Sequence, residues 1–134
     1  MLNEILDNFH IESSINIKQY SPLDLAYIGD CVYELFVRTY LIKNGKQPVN
    51  KLHKSAIALV NASKQAEYAH IILDKLTEEE TDIYKRGRNT NSKPPKNADL
   101  TDYKAATGFE ALLGYLYLMR RSDRIVELLN LVFV

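Results

Sequence analysis

The stretch TDYKAATGFEALLGYLYLMRR (residues 101–121) is apolar along most of its length, and its apolar residues have the spacing of a helix. A helix that is apolar on nearly every side needs other helices around it, because only a central position shields all of its faces from water. The stretch therefore predicts a central helix from Thr101 to about Arg121.

The same periodicity extends toward the amino terminus. A serine and a proline at positions 21–22 are typical of a helix start, and an apolar pattern of helical spacing follows them as far as Leu41. Asn50 is the expected cap of a second long helix, whose apolar stripe runs to Leu73. Both segments are expected to pack around the central helix.

Shorter helices are expected in the rest of the chain. Thr77 and Glu80 have the capping-box spacing, which predicts a helix through about Arg86. Two more are expected over residues 2–8 and 123–131. Because no strand-like alternation of any length occurs, the sequence predicts an all-α fold of five to seven helices.

Size and composition indicate one domain. The 134 residues, 46% of them hydrophobic, are enough for a core without disulfides, so residues 1–134 are expected to form a single domain. Cys31 is the one cysteine; it lies in an apolar run and is expected to be a small core residue. No segment approaches the roughly 20 apolar residues that cross a bilayer, and the amino terminus is unlike a signal peptide. A cytoplasmic protein without a membrane partner is expected.

Charge is unevenly distributed, although the net charge is zero. Residues 74–82 are acidic, whereas the segment KRGRNTNSKPPKN (residues 85–97, here called the basic segment) has five cations and no acid, and residues 87–99 show no periodicity. It is expected to be a loop, either simply solvated or in contact with the phosphates of a nucleic acid. The candidate RNA-binding residues are Lys85, Arg86, Arg88, Lys93 and Lys96.

Two acids lie within the most apolar helical segments. Asp30 and Glu110 each interrupt an apolar run, and a charged side chain is rarely buried unless it is paired or bound to a cation. The ordinary alternative is that each acid points outward or pairs with Arg38 or Lys104. Two carboxylates that converged from different helices would instead form an oxygen-rich site suited to Mg²⁺ or Mn²⁺.

Glycines near these acids favour the second interpretation. Gly29, Gly108 and Gly114 each destabilise a helix interior by roughly 1 kcal/mol relative to alanine, which indicates that neighbouring helices approach closely there. Two further residues could support a site. Glu34 follows Asp30 by one turn, with an ion pair to Arg38 as the alternative. Thr107 precedes Glu110 by one turn in the same way.

Two segments resemble motifs of a known enzyme family. LAYIGDCVYELFVR (residues 25–38) resembles the signature of the ribonuclease III family, in which a Gly-Asp pair in an apolar helix is followed by a Glu four residues later. FEALLGYLYL (residues 109–118) is similar to the second family motif, which supplies another metal ligand. With the short chain and the basic segment, the motifs are most similar to the Mini-ribonuclease III subfamily, which lacks a separate double-stranded RNA-binding domain. The resemblance covers about residues 20–122.

The resemblance implies a helical endonuclease domain that acts as a homodimer, with a catalytic valley at the dimer interface. It implies Mg²⁺-dependent hydrolysis of double-stranded RNA, with Mn²⁺ as a substitute, that leaves 5′-phosphate ends. For the subfamily, the implied substrate is the precursor of large-subunit (23S) ribosomal RNA. Asp30 and Glu110 match the catalytic, metal-binding acids of the family, and the basic segment would take over part of the grip on RNA.

The sequence also departs from the family pattern. Larger ribonuclease III enzymes carry further acids at the positions of Leu23, Ala26 and Thr107, so this chain has fewer carboxylates and favours one Mg²⁺ per subunit over a two-metal site. The missing acids leave an alternative open: a non-catalytic, RNA- or ribosome-associated helical dimer that has kept the fold. A purely structural helical dimer is a third possibility, but it leaves the two motifs unexplained.

Overall fold

Helices make up all the regular structure of the computed structural model, which describes residues 2–12, 16 and 19–133. No strand occurs within these ranges, and the all-α prediction is confirmed; the other residues of the predicted 1–134 domain lie outside the described ranges. The helices are α1 (Leu2–Asn8), α2 (Pro22–Lys43), α3 (Val49–Leu59), α4 (Ala62–Ile72), a 3-10 turn (Leu73–Lys75), α5 (Glu78–Arg88), α6 (Leu100–Leu118) and α7 (Ser122–Leu129).

The predicted central helix is α6. It is buried from Ala105 to Tyr117 except at Glu110, because α2, α4 and α5 pack along three of its sides. The helix begins one residue earlier than predicted, since the Asp99 carboxylate accepts a hydrogen bond from the Asp102 amide at 2.9 Å. This central position is what an all-round apolar helix requires.

The predicted single helix over residues 50–73 is wrong, because Asn61 divides it into α3 and α4. The Asn61 side-chain oxygen accepts a hydrogen bond from the Lys64 amide at 2.9 Å and so caps α4. Its side-chain nitrogen donates to the Ile57 carbonyl at 3.0 Å and so closes α3. One asparagine thus ends one helix and begins the next, which lets α4 turn and pack against α6.

Both predicted local start signals are present. At the start of α2, the Asp24 amide donates to the Ser21 hydroxyl at 3.1 Å and the Ser21 amide donates to the Asp24 carboxylate at 3.2 Å. At the start of α5, Thr77 and Glu80 form the same reciprocal pair. Local chemistry therefore determines where these two helices begin.

Glu80 also joins α5 to α7 through a buried ion pair. Arg124 donates to the two carboxylate oxygens of Glu80 at 2.9 Å each. Burial alone would raise the pKa of Glu80, but the hydrogen bonds from Arg124 and Thr77 hold it below its usual value. Glu80 is therefore ionised at neutral pH and accounts for one buried acid of the chain without any role in a functional site.

The prediction that Cys31 belongs to the core is wrong, because its side chain is exposed. Only one face of α2 packs on α6. Its other face presents an apolar stripe with a spacing of four residues, which we call the α2 stripe: Leu23, Tyr27, Cys31 and Leu35 are all exposed. None of the described helices combines the length and the apolar character needed to cross a membrane.

Candidate metal site

Asp30 and Glu110 come together where the backbones of α2 and α6 touch. A Cβ atom added at Gly29 would lie 2.8 Å from the Gly114 nitrogen and closer still to the Glu110 carbonyl oxygen. One added at Gly114 would lie 2.8 Å from the Leu25 carbonyl carbon. Since no side chain separates the two helices at this crossing, the acids beside it are brought face to face.

The two carboxyl groups are close enough to interact directly. Burial, and then a hydrogen bond to Asp30 and its negative charge, raise the pKa of Glu110 to about 8. Without a bound cation, Glu110 therefore holds its proton more tightly than an ordinary carboxyl group does. A divalent cation between the two groups would replace that proton and remove the repulsion, and carboxylate oxygens are the ligands that Mg²⁺ and Mn²⁺ prefer.

Two acids, Asp30 and Glu110, meet at this crossing. Among the described residues, no group of three or more His, Cys, Asp or Glu side chains is placed to hold a metal ion. At two positions where the resemblance implies acids in larger relatives, this chain has an exposed Leu23 and a buried Ala26. A cation held by Asp30 and Glu110 would thus complete its coordination with water, which Mg²⁺ commonly does.

Glu34 and Thr107 have partners on their own helices. The Glu34 carboxylate accepts from the Arg38 guanidinium at 2.9 Å, which is the alternative that the sequence left open. The Thr107 hydroxyl is buried and donates to the Tyr103 carbonyl at 3.0 Å. Neither side chain is among the described groups that shift the pKa of Glu110. Their support of the site remains a proposal.

Gln65 is a neighbour of the site that the sequence reasoning missed. It lies on α4 and is buried, and its side-chain amide lowers the pKa of the Glu110 carboxyl. The signal was present: Gln65, Ala69 and Ile72 have the spacing of a single helix face, and the last two are core residues. The expectation of one continuous helix over residues 50–73 does not indicate that this face lies beside Glu110.

Tyr33 anchors the part of α2 that carries Asp30. It is fully buried one turn after Asp30, and its hydroxyl donates to the Leu59 carbonyl at 2.7 Å. Burial, with smaller contributions from Tyr68 and Glu110, raises the pKa of the phenol well above its usual value. Tyr33 therefore stays neutral and fastens α2 to the end of α3.

The basic segment is not entirely a loop. Three of its cations, Lys85, Arg86 and Arg88, lie on the last turn of α5, so the expected loop over 85–97 is corrected to one that begins after Arg88. The helix continues through Gly87 because that glycine packs directly against α6. Cations are also favoured at a helix carboxyl end.

The other two cations of the basic segment are exposed to solvent, and Arg88 lies against a tyrosine ring. Lys93 and Lys96 are exposed in the connection between α5 and α6. The Arg88 guanidinium lies 5.8 Å from the centre of the Tyr84 ring, which restricts it to the surface of α5. This connection leads into α6, the helix that carries Glu110.

Comparisons with known proteins agree with these motifs. The model of the Ribonuclease III domain matches residues 23–121. The Mini-ribonuclease 3 of Clostridium tetani is 50% identical over 119 residues, which are 87% of this chain and 79% of that protein. The Mini-ribonuclease 3 of a Thermoanaerobacter species is 46% identical over 127 residues, which are 94% of this chain and 89% of that protein.

A solved structure shows the same fold. The crystal structure of a protein from Fusobacterium nucleatum is 36% identical and superposes with a TM-score of 0.81, covering 89% of this chain and 98% of that one. The family model spans most of the chain, and both relatives match along most of their length. The chain therefore belongs to the ribonuclease III family, and its similarity within that family is to the Mini-ribonucleases 3.

Proposed function

We propose that this protein is an endoribonuclease that hydrolyses double-stranded RNA with Mg²⁺, or with Mn²⁺ in its place, as one catalytic domain. The observation that carries the proposal is the contact between the carboxyl groups of Asp30 and Glu110 at a backbone crossing of α2 and α6. Two acids of like charge in a partly buried position are unfavourable unless a proton or a cation lies between them. Metal binding explains why an exposed Asp30 and a partly buried Glu110 lie side by side.

Asp30 and Glu110 would hold the metal, and the residues around them keep these carboxylates in place. The bound ion would activate water and stabilise charge on the scissile phosphate. Glu110 must lose its proton for this, so metal binding at neutral pH is accompanied by proton release. The close helix crossing fixes the separation of the two acids without any flexible element between them.

We also propose that the chain acts as a homodimer through the α2 stripe. Tyr27 is a large aromatic side chain with 84% of its surface exposed, and the α2 stripe continues through Leu35. Exposed apolar residues in a row are typical of an interface with a second protein surface. Because Asp30 lies on the same helix, a dimer formed here would place two sites near each other. Sedimentation equilibrium of the wild-type chain tests the dimer. A monomer at micromolar concentration would contradict it.

The proposed substrate is the precursor of large-subunit (23S) ribosomal RNA, cut in the cytoplasm at paired ends to leave 5′-phosphates. Support comes from the similarity to the Mini-ribonucleases 3 and from the motifs that this chain shares with that subfamily. Double-stranded RNA is recognised mainly by shape and by its 2′-hydroxyls, which agrees with a site that has few base-specific side chains.

The nuclease proposal is tested by incubating a labelled RNA duplex with the protein in Mg²⁺ or in EDTA. Internal cuts in Mg²⁺ and none in EDTA are expected. If the duplex is bound but remains intact in Mg²⁺ and in Mn²⁺, the non-catalytic RNA-associated dimer becomes the better interpretation, a role that the absence of acids at Leu23 and Ala26 would then explain.

The basic segment is expected to contribute to RNA affinity through phosphates. Replacing Arg86, Arg88 and Lys93 together by Ala should weaken binding to every duplex sequence, because phosphate contacts do not depend on base identity. The slope of log K against log salt should become less negative by up to about 3, roughly one for each phosphate that the protein no longer neutralises. Fluorescence anisotropy at several salt concentrations measures both quantities.

A matched control removes the same charge elsewhere. Lys43, Lys46 and Lys51 are exposed at the end of α2, in the following connection and on α3, and replacing them by Ala changes the net charge equally. The control should alter the salt slope much less. Equal slopes for the two triple variants would show that net charge, and not the basic segment, determines RNA affinity.

A further inference from the structure

Gln65 is a buried amide whose burial the fold does not explain. Three polar or charged side chains are buried among the described residues: Gln65, Glu80 and Thr107. Glu80 pairs with Arg124, and the Thr107 hydroxyl donates to the backbone of its own helix. The Gln65 side-chain nitrogen, in a residue only 4% exposed, makes no hydrogen bond of normal geometry within the described part of the chain.

An unpartnered amide in the core destabilises a protein. A buried donor without a partner loses its hydrogen bonds to water and gains none in the protein, so a leucine of similar size would stabilise the fold more than glutamine does. The neighbours of Gln65 on the same face of α4, Ala69 and Ile72, are apolar core residues. Packing therefore gives no reason for a glutamine at this position.

The surroundings of Gln65 supply a reason. Gln65 lies on α4, which packs along α6, and its side-chain amide is within hydrogen-bonding reach of the Glu110 carboxyl on that helix. An amide N–H binds most strongly to a carboxylate oxygen, because a charged acceptor strengthens the hydrogen bond. The unpartnered Gln65 nitrogen is thus beside a carboxyl group that it can orient.

We propose that Gln65 is a positioning residue of the carboxylate pair: its side-chain N–H donates to the Glu110 carboxylate and holds it toward Asp30 when a divalent cation is bound. The inference rests on the metal site proposed above. Groups that orient a metal-ligating side chain typically change metal affinity about 10–100-fold when they are removed. The unfavourable burial of Gln65 in the metal-free protein would then be compensated in the metal-bound one.

The test compares metal affinity with stability in Gln65→Leu. Titration with Mn²⁺, followed by calorimetry or by the electron paramagnetic resonance of free Mn²⁺, is expected to show an affinity roughly 10–100-fold lower than that of the wild type. The melting temperature without metal should stay equal or rise, because the unpartnered amide is gone. In cleavage assays the loss should appear as a higher Mg²⁺ requirement that is largely overcome at high Mg²⁺ concentration.

Two further variants make the result interpretable. Gln65→Met keeps the unbranched shape without the amide, so it should reproduce the lower affinity if the leucine variant packs poorly. Ile72→Val, at a buried position of the same helix face, should lower the melting temperature and leave Mn²⁺ affinity unchanged. If a folded Gln65→Leu or Gln65→Met binds Mn²⁺ as tightly as the wild type, the inference is overturned.

Asp30→Asn, titrated in parallel, separates this inference from the proposed function. If Asp30→Asn loses Mn²⁺ binding but the Gln65 variants do not, the metal site stands and only the role of Gln65 is refuted. If the wild type and Asp30→Asn bind Mn²⁺ with the same affinity, the metal site itself is wrong, and the role of Gln65 is refuted with it.

Discussion

Asp30→Asn is expected to abolish cleavage of duplex RNA, with a loss of roughly a thousandfold or more, which corresponds to about 4 kcal/mol of transition-state stabilisation. Asparagine keeps the shape of the side chain but removes one of the two carboxylates that, among the described residues, are placed to hold a cation here. The fold should be unaffected, because Asp30 is exposed and its charge repels Glu110.

The measurement is the single-turnover rate on a labelled duplex in Mg²⁺, together with the melting temperature without metal. Glu110→Gln should show the same loss of activity, since it removes the other carboxylate. Glu67→Gln is the control: it removes one exposed negative charge from α4, a helix that contributes neither acid, and should cleave at the wild-type rate. Substantial cleavage by a folded Asp30→Asn would exclude the proposed catalytic role of this residue.

Gly29→Ala is expected to reduce the free energy of unfolding by at least about 3 kcal/mol. In an isolated helix the change would be stabilising by roughly 1 kcal/mol, so the expected effect has the opposite sign to helix propensity. The reason is the crossing of α2 and α6, where an alanine Cβ would overlap the backbone of Glu110. A backbone atom inside a packed helix cannot move aside as the end of a side chain can.

Urea unfolding of Gly29→Ala and Gly114→Ala measures this effect, and both should be strongly destabilised because each Cβ meets the backbone of the opposite helix. Thr39→Ala, at an exposed position of α2, provides the control and should change stability by no more than about 0.5 kcal/mol. A Gly29→Ala variant as stable as the wild type would mean that the two backbones do not touch.

The same crossing relates stability to the candidate site. The acids beside Gly29 and Gly114 face each other because the backbones are in contact, so a variant that relieves the overlap must move α2 away from α6. Any folded Gly29→Ala protein should therefore bind Mn²⁺ more weakly than the wild type. Close packing is needed for both the fold and the proposed chemistry.

Much of the secondary structure could be predicted from the sequence because its signals are local. The serine and proline before α2 and the Thr77–Glu80 pair before α5 act within a single helical turn, and both predictions are confirmed. The central position of α6 also followed from composition, because a helix without a polar face has to be surrounded.

The errors have a common physical origin. Asn61 is compatible with a continuous helix as well as with two helices, and only the packing of α4 on α6 decides between them. Cys31 belongs to an apolar run, but which face of α2 meets α6 depends on where the glycines allow contact. Gly87 suggested a loop, yet it lies within α5 because it packs on α6.

The sequence by itself shows Asp30 and Glu110 as charged residues within apolar helices, where charges are unexpected. Only the resemblance to a family predicts that the two act together. Their contact, and the presence of Gln65 beside them, depend on three helices that are distant along the chain. Periodicity and capping act over a few residues, so they reveal helices and their faces. Contact between carboxylates depends on how those helices cross, and here two glycines that let α2 and α6 touch decide it.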